Sequence, residues 1–363
     1  MMSELRFEFG GHPIRVRIAP GLLETIGRQL STDASSGRFF IVSDETVGPL
    51  YAERAASELR RAGLEAEVHL VPPLDESKSL GQASELYDRL AAGGYTRDCA
   101  ILAIGGGMVS DLAGFVAATW MRGMGFFICP TTLESAIDAC LGGKTAINHP
   151  AGKNLIGAFH QPQEVLIDPQ CLTTLPERDL AAGLAESVKH GAIHDTDFLA
   201  WQRDCRDAIL NRDPAVLVEL IERNLRIKAG YVGADERDAT GPRAMLNFGH
   251  TVGHALEAWA QYRLRHGECV ALGMAVACRL SVDMGLLEAA EESTVVDLLA
   301  GFNLPVTLQP VPPFDTILDY IRRDKKNQGG RLRFVLLDGL GQAVLRDDVP
   351  DDALRRAYGV LGA

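Results

Sequence analysis

At 363 residues the chain exceeds what a single hydrophobic core usually supports, so two domains are expected. Its composition, 47% hydrophobic and 23% charged, is that of a folded globular protein and excludes a disordered or low-complexity module. The formal net charge of -12 argues against a nucleic-acid surface, because phosphate backbones select clustered Lys and Arg, yet a few convergent cations could still bind a small anion.

The first residues, SELRFEFGGHPIRV after the opening methionines, lack a basic segment leading into an apolar one. No apolar run reaches the roughly 18 residues that a membrane helix needs, so a cytoplasmic protein without a membrane partner is expected. Between Arg38 and Ser43, Ala66 and Val71, and Ala100 and Ile104, short apolar runs predict buried strands, and Tyr51 to Ala62 and Gly81 to Ala92 have helical spacing. Phe126 to Ile128 and Val165 to Ile167 are further predicted strands. This alternation predicts a parallel α/β layer.

From about Leu175 the spacing turns helical, through Leu180 to His190, Ala215 to Val232, His250 to Gln261 and Val270 to Met284. Arg331 to Leu337 and Ala343 to Arg346 flank a Gly-rich turn and predict a hairpin. The expected division is an α/β domain over 1–170 and a mainly α-helical domain over 171–363. Seven scattered cysteines, without a CxxC pair, suggest neither a disulfide framework nor a thiolate metal site.

Several groups of residues could carry chemistry. The predicted strand Ala100 to Ile104 runs into Gly105-Gly106-Gly107 and Met108-Val109-Ser110-Asp111. Such a turn lets backbone N–H groups approach a pyrophosphate at a helix N-terminus, although the spacing is not GxGxxG and a tight structural turn explains it equally well. Lys144 and Lys153 lie in Gly-rich stretches that suit anion binding or are simply solvated loop lysines. His250, His254 and Glu257 share one helical face, where imidazoles at i and i+4 could hold a divalent ion or be ordinary satisfied polar groups. Glu186 and Lys189 share an otherwise apolar face, as an internal ion pair or as part of a metal site. Lys228, Arg243, Lys325 and Lys326 form either a solvated face or an anion pocket.

The stretches GGGMVSDLAGFVAATWMRG (105–123), GGKTAINHPAGKNLIGAFHQP (142–162), LPERDLAAGLAESVKHG (175–191), LNFGHTVGHALE (246–257) and HGE (266–268), in that order, resemble the 3-dehydroquinate synthase family along nearly the whole chain. The resemblance implies a Rossmann-like N-terminal domain for NAD, a mainly helical C-terminal domain, a site in the cleft between them, and a homodimer. It assigns a divalent ion, zinc or cobalt, to Glu186, His250 and His266. His254 is thereby left to the substrate phosphate, which displaces the i,i+4 pairing.

For NAD the resemblance implies Asp75, Lys78, Gly106, Gly107, Met108, Val109, Asp111, Thr131, Thr132, Asp138, Lys144, Lys153, Cys171, Leu172 and Thr174. For substrate it implies Lys144, Asn154, Lys228, Arg243, Asn247, His254 and Lys325, with Arg122 reaching a neighbouring subunit. Asp138, Lys144, Glu186, Lys189, Lys228, His250 and His266 are the implied catalytic set. Two features depart from the family: Asp75 stands where a Glu is usual, and Asp235 to Arg243 is one residue longer and carries Pro242.

The implied activity is that of a phosphorus–oxygen lyase of the shikimate pathway. It converts the sugar phosphate 3-deoxy-D-arabino-heptulosonate 7-phosphate to 3-dehydroquinate and phosphate through transient oxidation by NAD, elimination, re-reduction and aldol closure. The alternatives are a sibling cyclase acting on sedoheptulose 7-phosphate or glucose 6-phosphate, and a metal-dependent polyol dehydrogenase.

Overall fold

A computed structural model of the chain describes residues 2–30, 37–239, 241–261, 263–323 and 332–362. They form two compact units, one of Met1–Leu175 with Leu217–Leu225, the other of Pro176–Val216 with Arg226–Ala363.

The first unit contains strands β1 (Ser3–Phe9), β2 (His12–Ile18), β3 (Arg38–Asp44), β4 (Glu65–Val71), β5 (Ala100–Gly105), β6 (Gly125–Pro130), β7 (Lys144–His149), β8 (Gly152–Phe159) and β9 (Glu164–Ile167). Its helices are α1 (Ile26–Leu30), α2 (Glu53–Arg61), α3 (Leu80–Ala92) and α4 (Gly107–Thr119). Seven strands make one sheet in the order β1-β2-β9-β6-β5-β3-β4, antiparallel between β1 and β2 and parallel elsewhere. β5 is buried at every position and β3 at every position after Arg38, as continuous apolar runs in the middle of a parallel sheet should be. Leu22, Ile26, Phe39, Ile41, Leu59, Leu102 and Phe127 belong to the core beneath it.

Chain order reverses at β3, which continues through α2 to β4 on one side and then through α3 to β5 on the other. That reversal puts a topological switch point at the carboxyl ends of β3 and β5, the usual place for a ligand in such sheets. The α/β expectation is borne out here.

Two hairpins lie outside the predicted elements. In β1 the exposed Glu4, Arg6 and Glu8 alternate with Leu5 and Phe9, and the turn is made by Gly10 and Gly11 at φ 55° and 80°. The half-polar face of this hairpin hides it from a search for continuous apolar runs. The second hairpin, β7 with β8, corrects the reading of Lys144 and Lys153 as loop residues: both are strand residues, in antiparallel register with Lys144 opposite Phe159.

The second unit is mainly helical, as expected. It comprises α5 (Glu177–His194), α6 (Thr196–Asp204), α7 (Arg206–Leu210), α8 (Pro214–Ala234, whose middle belongs to the first unit), α9 (His250–Trp259), α10 (His266–Asp283), α11 (Ala289–Gly301), α12 (Phe314–Arg323) and α13 (Asp351–Tyr358). Strands β10 (Phe334–Leu337) and β11 (Ala343–Arg346) form the predicted hairpin, although Arg331 lies outside the described residues. α10 is the central helix, buried over most of its length and packed against α5, α9, α11 and α13. Among the described residues, no helix is long and apolar enough to cross a membrane.

Candidate metal centre and anion sites

Glycines bring three polar side chains of the second unit together. Gly249, just before α9, has φ 78°, and a Cβ there would lie 2.8 Å from the Val270 carbonyl oxygen of α10. Gly267, on the first turn of α10, approaches α5 so closely that a Cβ would meet the Ala182 carbonyl oxygen at 1.9 Å. Only backbones without side chains can cross at these points. The residues beside these glycines, His250 and His266, are the first of α9 and α10, and both face Glu186 of α5.

His250 Nε2 and His266 Nε2 each lie 3.4 Å from Glu186 Oε1. That oxygen is buried and has no hydrogen-bond partner, whereas Glu186 Oε2 accepts from the Lys189 ammonium. Each imidazole has its other nitrogen engaged by an acceptor. His250 Nδ1 is 3.1 Å from the Phe248 carbonyl and His266 Nδ1 is 3.3 Å from Glu257 Oε2. Since carbonyl and carboxylate oxygens only accept, both Nδ1 atoms carry the proton and both Nε2 lone pairs point to the same place.

The donor set fits a divalent ion. Zinc bonds of about 2.0–2.1 Å in tetrahedral geometry hold ligand atoms about 3.4 Å apart, the separation seen between Glu186 Oε1 and each imidazole. One carboxylate and two imidazoles without a thiolate suit zinc or cobalt and leave coordination positions open. His254, Glu257 and His266 also come near enough to share an ion. The buried, unpartnered Glu186 oxygen favours the first grouping, because an anionic oxygen out of water needs a positive partner.

Charge in the cluster is strongly coupled. Burial would raise the Glu186 carboxyl, but Lys189, His250 and His266 outweigh it and hold it well below the usual carboxylate range. Burial pushes the His250 imidazole down to about 3, partly opposed by Glu186, so this imidazole is neutral at physiological pH.

Of the anion-binding candidates in this unit, Lys228 on α8 and Arg243 are only 5% and 4% exposed. Pro242 opens a short 3-10 turn, Pro242–Asn247, as a residue without an N–H can at a helix start. Before it, the buried Asp235 carboxylate accepts from the Ala239 N–H at 2.8 Å and the Gly241 N–H at 2.9 Å. Arg243 donates to the Glu236 carbonyl, and Asn247 to the Ala244 carbonyl at 3.1 Å. The His254 ring is 5.3 Å from that of His250 and 5.9 Å from that of His266, centre to centre. Lys325 lies outside the described residues.

In the first unit, Gly106 caps the N-terminus of α4 at the end of β5, the neighbour of β3 in the sheet. Gly107, Met108, Val109 and Asp111 form the first turns of α4, with Val109 fully buried. The Thr131 N–H donates to the Gly105 carbonyl at 3.0 Å, while its buried hydroxyl has no hydrogen-bond partner. Thr132 Oγ1 accepts from the Ser135 N–H at 3.2 Å and so starts the turn Ser135–Ala139 that carries Asp138.

Lys78 is buried and donates to Asp111 Oδ2 at 2.6 Å. Asp75 Oδ2 meets Asn148 Nδ2 at 3.0 Å and Lys153 Nζ at 3.1 Å, which ties the β7–β8 hairpin to the Asp75 turn. Asn154 takes φ 55° and donates its N–H to Asn148 Oδ1 at 3.1 Å. Lys144 is exposed at the start of β7. Arg122 is exposed in a kink where Met121, Arg122 and Gly123 have φ of 49°, 68° and 120° in succession.

Cys171 and Leu172 are buried in the turn Pro169–Thr173. The Tyr51 hydroxyl lies 3.2 Å from the Cys171 carbonyl and 2.6 Å from Thr174 Oγ1. Sequence reasoning missed Tyr51, which it read only as the start of a helix. It also missed Asp44, buried at the carboxyl end of β3, where its Oδ1 accepts from the N–H groups of Thr46 and Val47. The end of a predicted buried strand was the available signal for Asp44. All seven cysteines are free, six of them buried.

A nucleotide-type α/β unit joined in one chain to a helical unit with a nitrogen- and oxygen-donor metal cluster defines a class of metal-assisted enzymes. Within that class the family is specific. Residues 68–182 match the model of the 3-dehydroquinate synthase N-terminal region and residues 183–327 that of its C-terminal region. The chain is 44% identical over 321 residues to the 3-dehydroquinate synthase of Acidithiobacillus ferrooxidans, covering 88% of each chain. It is 43% identical over 352 residues to that of Desulforamulus reducens, covering 96% of this chain and 98% of the relative. The chain belongs to the 3-dehydroquinate synthase family.

Among solved structures, it is similar to a 2-epi-5-epi-valiolone synthase from Streptomyces hygroscopicus with NAD+ and Zn2+ bound, with TM-score 0.88 and 29% identity over 99% of this chain and 97% of that one. It is also similar to a 2-deoxy-scyllo-inosose synthase complexed with carbaglucose-6-phosphate, NAD+ and Co2+, with TM-score 0.90 and 25% identity over 98% and 99%. An NADH-dependent butanol dehydrogenase from Thermotoga maritima, 16% identical at TM-score 0.65, shares the fold alone.

Proposed function

We infer that the chain catalyses the 3-dehydroquinate synthase reaction, turning 3-deoxy-D-arabino-heptulosonate 7-phosphate into 3-dehydroquinate and inorganic phosphate. The observation that carries this reading is the convergence of His250 Nε2 and His266 Nε2 on the unpartnered Glu186 Oε1, in a chain that belongs to that family. Identity of 43–44% to 3-dehydroquinate synthases, against 25–29% to the two carbocycle-forming synthases, favours the keto acid over a carboxylate-free sugar phosphate.

Bound NAD supplies a hydride acceptor that becomes the donor later in the same turnover, so the reaction has no net redox change. Held by Glu186, His250 and His266, a zinc or cobalt ion supplies Lewis-acid polarisation of substrate hydroxyls. Lys189 offsets the Glu186 charge and stands ready to hold a proton near the reacting hydroxyls. Arg243, Lys228 and Asn247 bind the substrate carboxylate. The phosphate is held by Lys144, Asn154, His254 and Lys325, together with Arg122 of a second copy. Anchoring both ends of the substrate restricts it to the geometry from which phosphate leaves and the ring recloses.

For the dinucleotide, we assign the pyrophosphate to Gly106 through Asp111 at the N-terminus of α4, where backbone N–H groups and the helix dipole favour an anion. Asp75, Lys78, Lys153, Thr131, Thr132, Asp138, Lys144 and the turn Cys171, Leu172 and Thr174 complete the NAD contacts. The active form in this reading is a cytoplasmic homodimer, since Arg122 serves the neighbouring subunit.

Protein stripped with a chelator should lose turnover and regain it on addition of zinc or cobalt. During turnover, phosphate should accumulate while absorbance at 340 nm stays flat. Full activity without metal would remove the ion from the account, and NADH released in step with substrate would replace a cyclase with a dehydrogenase.

A further inference from the structure

The metal cluster contains one carboxylate that the proposed ligand set leaves without a role. Glu257 lies seven residues after His250 on α9, two turns along the same face, and its side chain is 12% exposed. Its Oε2 meets His266 Nδ1 at 3.3 Å, on the side of the ring opposite the nitrogen that faces Glu186. His250 has only a neutral carbonyl, that of Phe248, in the corresponding position. The two imidazoles thus differ in the charge of the group behind them.

We propose that Glu257 is a positioning residue of the metal centre: its carboxylate keeps the His266 proton on Nδ1 and thereby commits Nε2 to the ion. The proposal rests on the reading of Glu186, His250 and His266 as ligands and gives Glu257 a role distinct from theirs. His266 begins α10, and its side chain is 27% exposed, so unlike buried His250 it is not held by packing alone. A neutral imidazole free to exchange tautomers would present Nε2–H to the ion part of the time. A negative acceptor behind the ring suppresses that form and raises the basicity of the ligating nitrogen. The competing assignment, in which His254, Glu257 and His266 themselves bind the ion, requires Glu257 as a direct ligand. It leaves Glu186 Oε1 buried without a positive partner.

The test measures metal affinity directly, on metal-stripped protein titrated with Zn2+ against a chromophoric chelator, and records the visible spectrum of the Co2+ form. Glu257→Ala should raise the Zn2+ Kd roughly 10- to 100-fold, and Glu257→Gln by less, because a glutamine oxygen still accepts from Nδ1–H without the charge. The Co2+ spectrum should keep its intensity and band pattern in Glu257→Gln, since the directly bound atoms are unchanged. Imidazole nitrogen NMR of the metal-free protein should show His266 as the Nδ1–H tautomer in the wild type and a mixture in Glu257→Ala. Glu257→Gln keeps the side-chain shape and separates this effect from misfolding. Unchanged Kd and tautomer in both Glu257 variants overturn the proposal while leaving the metal ligands intact. Loss of the ion in the Glu257 variants with retention in Glu186→Gln and His250→Ala would transfer the site to His254, Glu257 and His266, overturning both readings.

Discussion

Glu186→Gln should abolish ion binding and destabilise the folded protein together. Without the anionic ligand, two imidazoles remain and the Lewis-acid contribution of several kcal/mol is lost, so kcat/KM should fall by at least about 10³-fold. The same substitution removes the carboxylate that pairs with the Lys189 ammonium, in a place where both side chains are about 1% exposed. Breaking a buried ion pair by removing one partner costs about 3–5 kcal/mol, which denaturant unfolding of the metal-free protein would register.

The pH dependence of that stability has a definite sign. Glu186 has a folded-state pKa well below the ordinary 4.5, so its contribution is fully present above 4.5 and is lost as pH falls through the depressed value. The Gln variant should therefore lose part of the acid slope of stability seen in the wild type. A variant that unfolds at the wild-type denaturant concentration and keeps its ion would contradict the assignment of Glu186.

Arg243→Ala is expected to have the second large effect, and one that depends on substrate. Arg243 is buried, and its loop is pinned by Asp235, so the guanidinium is placed before substrate arrives. Removing it leaves a substrate carboxylate without a charge-assisted partner. The cost is on the order of 2–5 kcal/mol, or roughly 30-fold to several thousand-fold in kcat/KM for the heptulosonate phosphate. Sedoheptulose 7-phosphate, which has no carboxylate, should lose far less from the same change. Equal losses on both compounds would assign Arg243 to loop structure, through its bond to the Glu236 carbonyl, rather than to the carboxylate.

The elements legible in the sequence were those whose burial is uniform or helically periodic. β3 and β5 announce themselves as apolar runs, and α5, α8, α9 and α10 by their spacing. The β1–β2 and β7–β8 hairpins did not, because polar residues and glycines interrupt their apolar positions: Glu4, Arg6 and Glu8 in β1, Arg15 and Arg17 in β2, Lys144 in β7, and Lys153 and Gly157 in β8. Periodicity also set His250 beside His254, since a helix face is a local property. The approach of Glu186 and His266 is not local. It depends on Gly249 and Gly267 letting α9 and α5 meet α10 at backbone distance, a tertiary fact that a glycine in sequence does not reveal. Family resemblance supplied that grouping where spacing could not. The hydrogen bonds from the Ala239 and Gly241 N–H groups to Asp235 were likewise invisible in the sequence.

The most direct test of the central claim is product analysis of the zinc-loaded protein incubated with NAD+ and 3-deoxy-D-arabino-heptulosonate 7-phosphate, followed by NMR and mass spectrometry. The expected products are 3-dehydroquinate and an equimolar amount of inorganic phosphate, with no accumulation of NADH. An oxidised sugar phosphate formed in step with NADH, or a preference for cyclising sedoheptulose 7-phosphate over the keto acid, would contradict the account.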